Sequence, residues 1–346
     1  MPTWMWTCRP GFEADLVEEL TRTGKNLAPR VSAPALVESN GRPALWPCFA
    51  RAGFPLGATA SLSGQAGGEG DRARAEAVAQ ALATSLDAAF AGKPRGWIAQ
   101  SWVPDADESN PLAARAAALE SAALAALRPD LTLRRLQSSE DAKRYGGWLA
   151  QIALVSHDRA LVGVMPAADA PTLAPGGRAR VHNPRNAPSR AGRKLVEAFD
   201  WLGRVPEAGE VCVDLGAAPG GWSVVLLEHR ARVIAVDPAQ LAPEVRRMKG
   251  LVHVKESAFD FVPTEPVDWL FCDMAWRPLE VAQLLAKWGR RKLATTLVSN
   301  VKLPMKQRVE FVQRVLQIVE SGGWKDVRAR QLYHDREEVT ISAWRT

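Results

Sequence analysis

The sequence predicts an α/β protein, with a doubly wound, mostly parallel sheet in its C-terminal half and a smaller α+β region before it. The first observation is a β-branched run from Val211 to Leu215 that passes into a loop of small residues and then into a helical pattern. This succession is typical of the start of a nucleotide-binding α/β domain. The second observation is a series of further short apolar runs with helical patterns between most of them, which indicates parallel strands.

The 346 residues are enough for two or three domains. Hydrophobic residues make up 47% of the chain, which is ordinary for a globular protein, and the formal net charge of +6 favours a polyanionic partner. No apolar stretch resembles a signal peptide or reaches membrane-spanning length. The spacing of the four cysteines is not that of metal ligands; they are Cys8, Cys48, Cys212 and Cys272. We therefore expect a cytoplasmic protein with reduced thiols, no bound metal and no membrane contact.

Residues 1–60 are predicted to form a small N-terminal subdomain. Thr3 to Thr7 indicates a strand, Glu13 to Thr23 a helix with one apolar face, and Ala44 to Arg51 a possible strand. The Gly-rich stretch from Gly64 to Gly70 is typical of a boundary or a mobile loop.

Residues 61–167 are predicted to form a second N-terminal unit. Its two Ala-rich helices are expected at 71–91 and 110–127, with a strand between them at 97–103. A hairpin around Ser156 to Arg159 is expected to join strands at 148–155 and 160–165. We interpret the Ala-rich helices as packing elements. The following segment, 168–180, is predicted to be a linker because the chain there is rich in Ala, Pro and Gly.

Residues 181–346 are predicted to form the doubly wound domain. Its first five strands are expected at 211–215, 232–236, 251–254, 267–272 and 293–298. The last two, near 324–332 and 338–344, follow without an intervening helix. A hairpin should therefore close an otherwise parallel sheet.

The loop after the first strand of this domain is a candidate ligand site. Its small residues would let the backbone approach a ligand closely, and they are Gly216, Ala217, Ala218, Pro219, Gly220 and Gly221. Pro219 departs from the G-x-G-x-x-G pattern, so a pyrophosphate cradle is not expected. An ordinary tight turn is the alternative interpretation.

Carboxylates at strand ends complete this candidate site. Asp214 can bond an amine or a hydroxyl, and Asp237 ends the next strand about 20 residues on, the spacing of an acid that grips a ribose. Carboxylates beside a loop that has no phosphate-binding lysine fit S-adenosylmethionine.

Four further polar residues stand at strand or helix ends: Lys194, Asp273, Lys302 and Glu338. Asp273 and Lys302 should share the carboxyl edge of the sheet with Asp214 and Asp237. Two lysines beside two acids suit deprotonation of an alcohol, because desolvation and a second ammonium favour a neutral amine. We interpret Lys302 as the base for a ribose 2′-hydroxyl; four unrelated surface charges are the alternative.

Weaker candidates surround this set. His334 could help to bind substrate or could be structural, and Trp222 and Trp276 could stack on a base or pack in the core. A cluster of arginines could grip phosphates or form a solvated face: Arg178, Arg180, Arg185, Arg190 and Arg193.

With these residues in view, the C-terminal half resembles the FtsJ/RrmJ-type ribose 2′-O-methyltransferases. The resemblance rests on segments 189–195, 214–222 and 272–274, on Lys302, and on 338–341. A closer resemblance, to the large-subunit ribosomal RNA methyltransferase M family, covers most of the chain. It rests on Cys8-Arg-Pro-Gly-Phe-Glu13, Asn186-Ala-Pro-Ser-Arg190, Cys272-Asp-Met274 with Pro278, and the segment 332–339.

This resemblance implies a ferredoxin-like piece at 1–60, a THUMP RNA-binding domain at 61–167, and a Rossmann-like class I methyltransferase domain with seven strands at 181–346. It implies S-adenosylmethionine as cofactor and 2′-O-methylation of a cytidine in the peptidyl-transferase region of 23S rRNA, with Lys302 as proton acceptor. The substrate would be 23S rRNA or a large-subunit precursor, bound by a monomer.

The cofactor contacts implied include Ser189, Trp222 and Asp273 besides the loop and its carboxylates. The chain departs from the family at one point: Glu256-Ser257-Ala-Phe stands where Asp-Gly-Phe is usual, so Glu256 and Ser257 are expected at the adenine edge. Two alternatives stay open, a tRNA or other RNA 2′-O-methyltransferase and a non-catalytic RNA-binding assembly factor.

Overall fold

The computed structural model describes residues 2–24, 26–63, 68–93, 95–182 and 187–345. The chain forms two compact units, Met1–Ala179 and Arg180–Thr346. No helix in the described ranges is long and apolar enough to span a bilayer. The helices are α1 (Glu13–Thr23), α2 (Gly68–Phe90), α3 (Ala113–Ala125), α4 (Pro129–Thr132), α5 (Ser139–Arg144), α6 (Gly192–Leu202), α7 (Gly221–Glu228), α8 (Pro243–Arg246), α9 (Pro278–Arg290) and α10 (Arg308–Glu320).

The strands belong to three sheets. They are β1 (Thr3–Thr7), β2 (Arg30–Ala33), β3 (Leu36–Asn40), β4 (Ala52–Pro55), β5 (Ala58–Ser61), β6 (Trp97–Trp102), β7 (Trp148–Leu154), β8 (Arg159–Pro166), β9 (Val211–Leu215), β10 (Arg232–Val236), β11 (Leu251–Val254), β12 (Val267–Cys272), β13 (Ala294–Lys302), β14 (Lys325–Arg330) and β15 (Glu338–Trp344).

The first sheet of the N-terminal unit has the order β2-β3-β1-β4 and is antiparallel. The predicted β1 and α1 are confirmed, but the strand expected from Ala44 to Arg51 is wrong. The backbone N–H groups of Cys48 and Phe49 donate to Glu19 on α1, over 2.7 and 3.0 Å, rather than to a neighbouring strand. The segment therefore turns, and pairing begins with β4.

The second sheet of this unit has the order β5-β8-β7-β6. The predicted hairpin is confirmed as the antiparallel pair of β7 and β8, while β6 runs parallel to β7. The Ala-rich helices α2 and α3 pack against it through a core that includes Val78, Leu82 and Leu119. Part of the Gly-rich stretch, Gly64 to Gly67, lies outside the described residues.

The segment predicted as a linker contacts the N-terminal unit. Gln100 donates to the carbonyl of Leu173 over 2.6 Å, and the Thr7 hydroxyl donates to the carbonyl of Gly176 over 2.9 Å. The chain up to Ala179 is thereby part of the first compact unit.

The sheet of the C-terminal unit has seven strands in the order β11-β10-β9-β12-β13-β15-β14. The five strands from β11 to β13 in this order are mutually parallel, and β15 is antiparallel to both of its neighbours. The α/β fold class is confirmed, including the closing hairpin. β13 extends to Lys302, four residues beyond the predicted end at 298.

Aromatic packing fixes α6 against this sheet. Phe199 of α6 meets Trp269 and Phe271 of β12 edge-on, with ring centroids 6.2 and 6.0 Å apart, and those two rings stack on each other at 5.5 Å. All three are buried, so replacing Phe199 with Ala should cost about 3–5 kcal/mol. This packing sets the rotation of α6 and therefore the direction of Lys194.

Candidate active site

The carboxyl edge of the parallel strands carries a row of polar residues. Asp214 lies in β9, Asp237 follows β10, Asp273 follows β12, and Lys302 ends β13. These strands are neighbours in the order β10-β9-β12-β13, so the four residues share one edge of the sheet. Ligands of open α/β sheets bind at this edge.

The loop between β9 and α7 is packed tightly against the protein itself. Gly216 and Gly220 have positive φ, and a Cβ at Gly216 would lie 2.4 Å from the Met274 side chain. A Cβ at Gly221 would lie 2.4 Å from the Ser189 hydroxyl. The glycines are thus required by the loop's own packing, whatever it binds. Between them, the Ala218–Pro219 peptide bond is cis.

Asp237 organises this loop. Its carboxylate accepts the N–H of Ala218 over 3.0 Å and the N–H of Ala239 over 2.8 Å. These two bonds join the end of β10 to the small-residue loop after β9. The predicted ribose-binding acid therefore already orients the backbone around it.

Asp214 is almost completely buried and accepts a 2.6 Å hydrogen bond from the Ser223 hydroxyl. The pKa of Asp214 is raised to about 7, chiefly by burial and also by the neighbouring Asp273 and Asp237, while the Ser223 hydrogen bond opposes the shift. The structure therefore places Asp214 beneath the rim, as a buried acid that is linked to α7.

The other predicted cofactor residues lie around the same loop ends. Ser189 accepts the N–H of Ala191 over 3.3 Å, and Ser257 accepts the N–H of Phe259 over 3.2 Å, while Glu256 is exposed. Trp222 is buried and donates to the carbonyl of Ala191 over 3.0 Å. Its ring packs in the core, so base stacking by Trp222, one of the two interpretations of the sequence, does not hold.

The four predicted catalytic side chains converge. Both lysine amines meet the carboxylate of Glu338: Lys194 at Oε2 and Lys302 at Oε1, the latter over 3.0 Å. Lys194 also lies 3.7 Å from Asp273. Residues that are up to 144 positions apart in the chain thus form one cluster of two ammonium and two carboxyl groups.

Charge pairing and burial act against each other on the pKa values of this cluster. Burial opposes the charge of Lys194, yet Asp273 and Glu338 outweigh it and hold the pKa of Lys194 above its ordinary value. Burial also opposes the charge of Glu338, but Lys194 and Lys302 lower its pKa. The pKa of Asp273 is raised, chiefly by burial. Lys194 is therefore a fixed cation, whereas the side chain of Lys302 is 51% exposed.

The sequence argument missed a buried network behind Glu338. Asn300 donates to Glu338 and to Asp335, each over 3.4 Å, and the Thr340 hydroxyl lies 2.8 Å from Asn300 Oδ1 and 2.9 Å from Asp335 Oδ2. One hydroxyl has one proton for these two oxygens. A protonated Asp335 that donates to Thr340 satisfies both contacts, and burial raises the pKa of Asp335 well above its ordinary value.

A second anchor, also missed, joins this region to α6. Glu197 accepts the backbone N–H groups of Tyr333 and His334 over 2.7 and 2.9 Å, and the ring of His334 donates to it over 2.7 Å. The ring of His334 is therefore held in place by Glu197 of α6. Lys194 and Glu197 lie three positions apart in the helical pattern of α6. This spacing could have predicted that their side chains share one face of the helix.

The arginines of the predicted cluster are divided along the chain between the two compact units. Arg178 belongs to the first unit and pairs with Asp105 over 3.4 Å, and Arg185 lies outside the described residues. Arg190 is exposed just before α6. Within the described ranges, no group of three or more His, Cys, Asp or Glu residues is arranged to hold a metal ion.

Comparison with known proteins defines the class. Residues 187–325 match the FtsJ-like methyltransferase family, in agreement with the Rossmann-type fold and with S-adenosylmethionine as the predicted cofactor. Almost the whole chain is similar to the ribosomal RNA large subunit methyltransferase M of Halorhodospira halophila, with 35% identity over 99% of this chain and 96% of that protein. The counterpart from Alkalilimnicola ehrlichii is 33% identical over 99% of this chain and 94% of that protein. The chain belongs to the ribosomal RNA large subunit methyltransferase M family.

Solved structures show a weaker likeness. The fibrillarin of Aeropyrum pernix, in complex with natively bound S-adenosyl-L-methionine, has a TM-score of 0.35 and 19% identity over 56% of this chain and 82% of that chain. The family assignment rests on the sequence relatives alone.

Proposed function

We propose that this protein transfers a methyl group from S-adenosylmethionine to the ribose 2′-hydroxyl of a cytidine in the peptidyl-transferase region of 23S rRNA. The observation that carries the proposal is the meeting of Lys194 and Lys302 on Glu338, beside Asp273, at the ligand-binding edge of the sheet. The family membership supports a ribosomal RNA substrate.

The residues at this edge fit the cofactor. S-adenosylmethionine carries positive charge on its sulfonium and amino groups, and the carboxylates of Asp237 and Asp273, at the ends of β10 and β12, offer the complementary charge. Asp237 would hold the ribose, Glu256 and Ser257 the adenine edge, and Ser189 and the loop 216–221 the remainder. When bound, the cofactor supplies an electrophilic methyl group.

Lys302 is the proposed base. Its side chain is half exposed at the rim, where it can meet the substrate, while Lys194 supplies the second cation and Glu338 orients both amines. Lys302 would take the proton of the ribose hydroxyl, and a bound S-adenosylmethionine would supply the methyl group for the ribose oxygen and would keep the electrons of the carbon–sulfur bond that breaks. Holding oxygen, carbon and sulfur in line would provide much of the remaining acceleration.

The N-terminal unit is proposed to capture RNA, with residues 1–60 as a ferredoxin-like piece and residues 61–167 as a THUMP domain, joined to the catalytic domain, 181–346, by the segment 168–180. Its two four-stranded sheets with flanking helices support two α+β pieces. We propose that the protein acts as a monomer in the cytoplasm, a location that a ribosomal RNA substrate supports.

The test is methylation of unmodified 23S rRNA with labelled cofactor, followed by mapping of the modified nucleotide. We expect one 2′-O-methylcytidine in the peptidyl-transferase region. Label on a base, or preferential labelling of tRNA, would contradict the proposal. Absence of turnover on both free rRNA and precursor particles would favour a non-catalytic assembly factor.

A further inference from the structure

Two large apolar side chains are exposed on adjacent loops at the catalytic edge. Trp276 is 53% exposed and follows β12, and Met305 is 90% exposed and follows β13. β12 and β13 are parallel neighbours, so both loops leave the sheet at the same edge. Asp273 directly follows β12 and Lys302 ends β13, three residues before Trp276 and Met305 respectively.

Cations alternate with these apolar side chains. Arg277, with 81% of its side chain exposed, follows Trp276, and the exposed Lys306 follows Met305. We call these four residues, Trp276, Arg277, Met305 and Lys306, the rim patch. An aromatic face interleaved with cations is the combination that binds unstacked nucleotides, because the base stacks while the phosphate meets positive charge.

Trp276 is held in one orientation before any partner binds. Its ring rests against Phe259 with centroids 5.8 Å apart, and its Nε1 donates to Glu280 over 2.7 Å. Arg277 donates to the other oxygen of Glu280 over 3.0 Å. A ring that is fixed at its edge and on one side loses little conformational entropy when a base stacks on its free side.

We propose that the rim patch is a stacking platform for a nucleotide next to the target in an unpaired RNA strand, with Trp276 under the base and Lys306 at a phosphate. The inference rests on the proposed function, because a ribose that reaches Lys302 must place its neighbouring nucleotide at this rim. A protein segment is the competing occupant, but interleaved cations beside the catalytic residues favour RNA.

The test compares Trp276→Ala, Trp276→Phe and Lys306→Gln in the full-length protein. The probe is an unmodified 23S rRNA fragment that contains the target nucleotide, and the readouts are its Kd, its KM and its salt dependence. Trp276→Ala should raise both constants about ten- to hundredfold, whereas Trp276→Phe should stay within about threefold of the parent. Lys306→Gln should reduce the slope of log Kd against log salt by about one.

Lys325→Gln is the matched control, because β14 is parallel to β13 and begins with Lys325, which places this exposed lysine at the opposite edge of the sheet. It should leave RNA affinity and the salt slope unchanged. If the parent protein is active but Trp276→Ala and Lys306→Gln bind RNA with unchanged affinity, the proposal of a stacking platform is wrong and a protein partner is favoured. Weaker cofactor binding by Trp276→Ala overturns it too, whereas an inactive parent protein overturns the proposed function instead.

Discussion

The side-chain amide of Asn300 lies 3.4 Å from the carboxylate of Glu338, the group that Lys194 and Lys302 both contact. Asn300 and Lys302 lie two residues apart on β13, and Thr340 and Glu338 face them on β15. The two-residue period of a strand puts all four side chains on one face of the sheet. Burial decreases along this face, from Thr340 and Asn300 inside to the half-exposed Lys302 at the rim.

Replacing Lys302 with Ala should abolish the proposed proton transfer while the cofactor still binds. A positioned base contributes roughly 10²- to 10⁴-fold, so kcat should fall by that order, with the Kd of the cofactor changed by less than about threefold. Single-turnover methylation of 23S rRNA and calorimetric cofactor titration measure the two quantities. Lys325→Ala is the control, and retained activity in Lys302→Ala would remove this lysine from the mechanism.

Replacing Thr340 with Val should separate the hydrogen-bonding role of this hydroxyl from its packing. Val has a similar volume but deprives Asn300 Oδ1 and Asp335 Oδ2 of their hydrogen bonds to the Thr340 hydroxyl in a buried site, which should destabilise the protein by about 1–3 kcal/mol. Because Asn300 then orients Glu338 less well, kcat should fall about tenfold with little change in cofactor affinity. Urea unfolding and steady-state kinetics are the measurements.

Thr340→Ser keeps the hydroxyl and loses only a methyl group, so its kcat should stay close to that of the parent protein. Equal kcat values for the Val and Ser variants would show that the hydroxyl network does not position Glu338.

Much of the C-terminal unit could be predicted from the sequence, because local sequence patterns determine its strands. The predicted bounds agree with the structure for β9, β10, β11, β12 and β15, and the positions of Asp273 after β12 and of Glu338 at the start of β15 follow from that agreement. Asp335 and Glu197 could not be assigned, because their partners are set by how a loop and a helix pack. The strand predicted from Ala44 to Arg51 is wrong for the same reason, because the N–H groups of Cys48 and Phe49 donate to the carboxylate of Glu19 on α1.

Replacing Glu197 with Ala should loosen the segment that leads to Glu338. The variant leaves the backbone N–H groups of Tyr333 and His334 without their acceptor, at a cost of about 1–3 kcal/mol for each one that stays buried. We expect greater hydrogen exchange in residues 332–337 and a lower kcat. Glu197→Gln retains one acceptor oxygen and should lie between the Ala variant and the parent protein. Unchanged exchange in Glu197→Ala would mean that other contacts hold this segment.

Replacing Asp214 with Asn should change how stability depends on pH. The pKa of Asp214 rises from 3.8 to about 7 in the folded protein, mainly because the carboxyl is buried. Between these values the folded state holds a proton that the unfolded state has released, so the contribution of Asp214 to stability is full below about pH 3.8 and is lost as pH rises to about 7. The free energy of unfolding should thus fall, relative to Asp214→Asn, by at most about 1.4 kcal/mol per pH unit across this window. Urea unfolding of both proteins at several pH values between 4 and 8 measures the difference, and Asp260→Asn, which removes an exposed carboxylate of the same unit, is the control. A difference between the parent protein and Asp214→Asn that does not vary with pH would show that Asp214 is ionised in the folded state throughout this range.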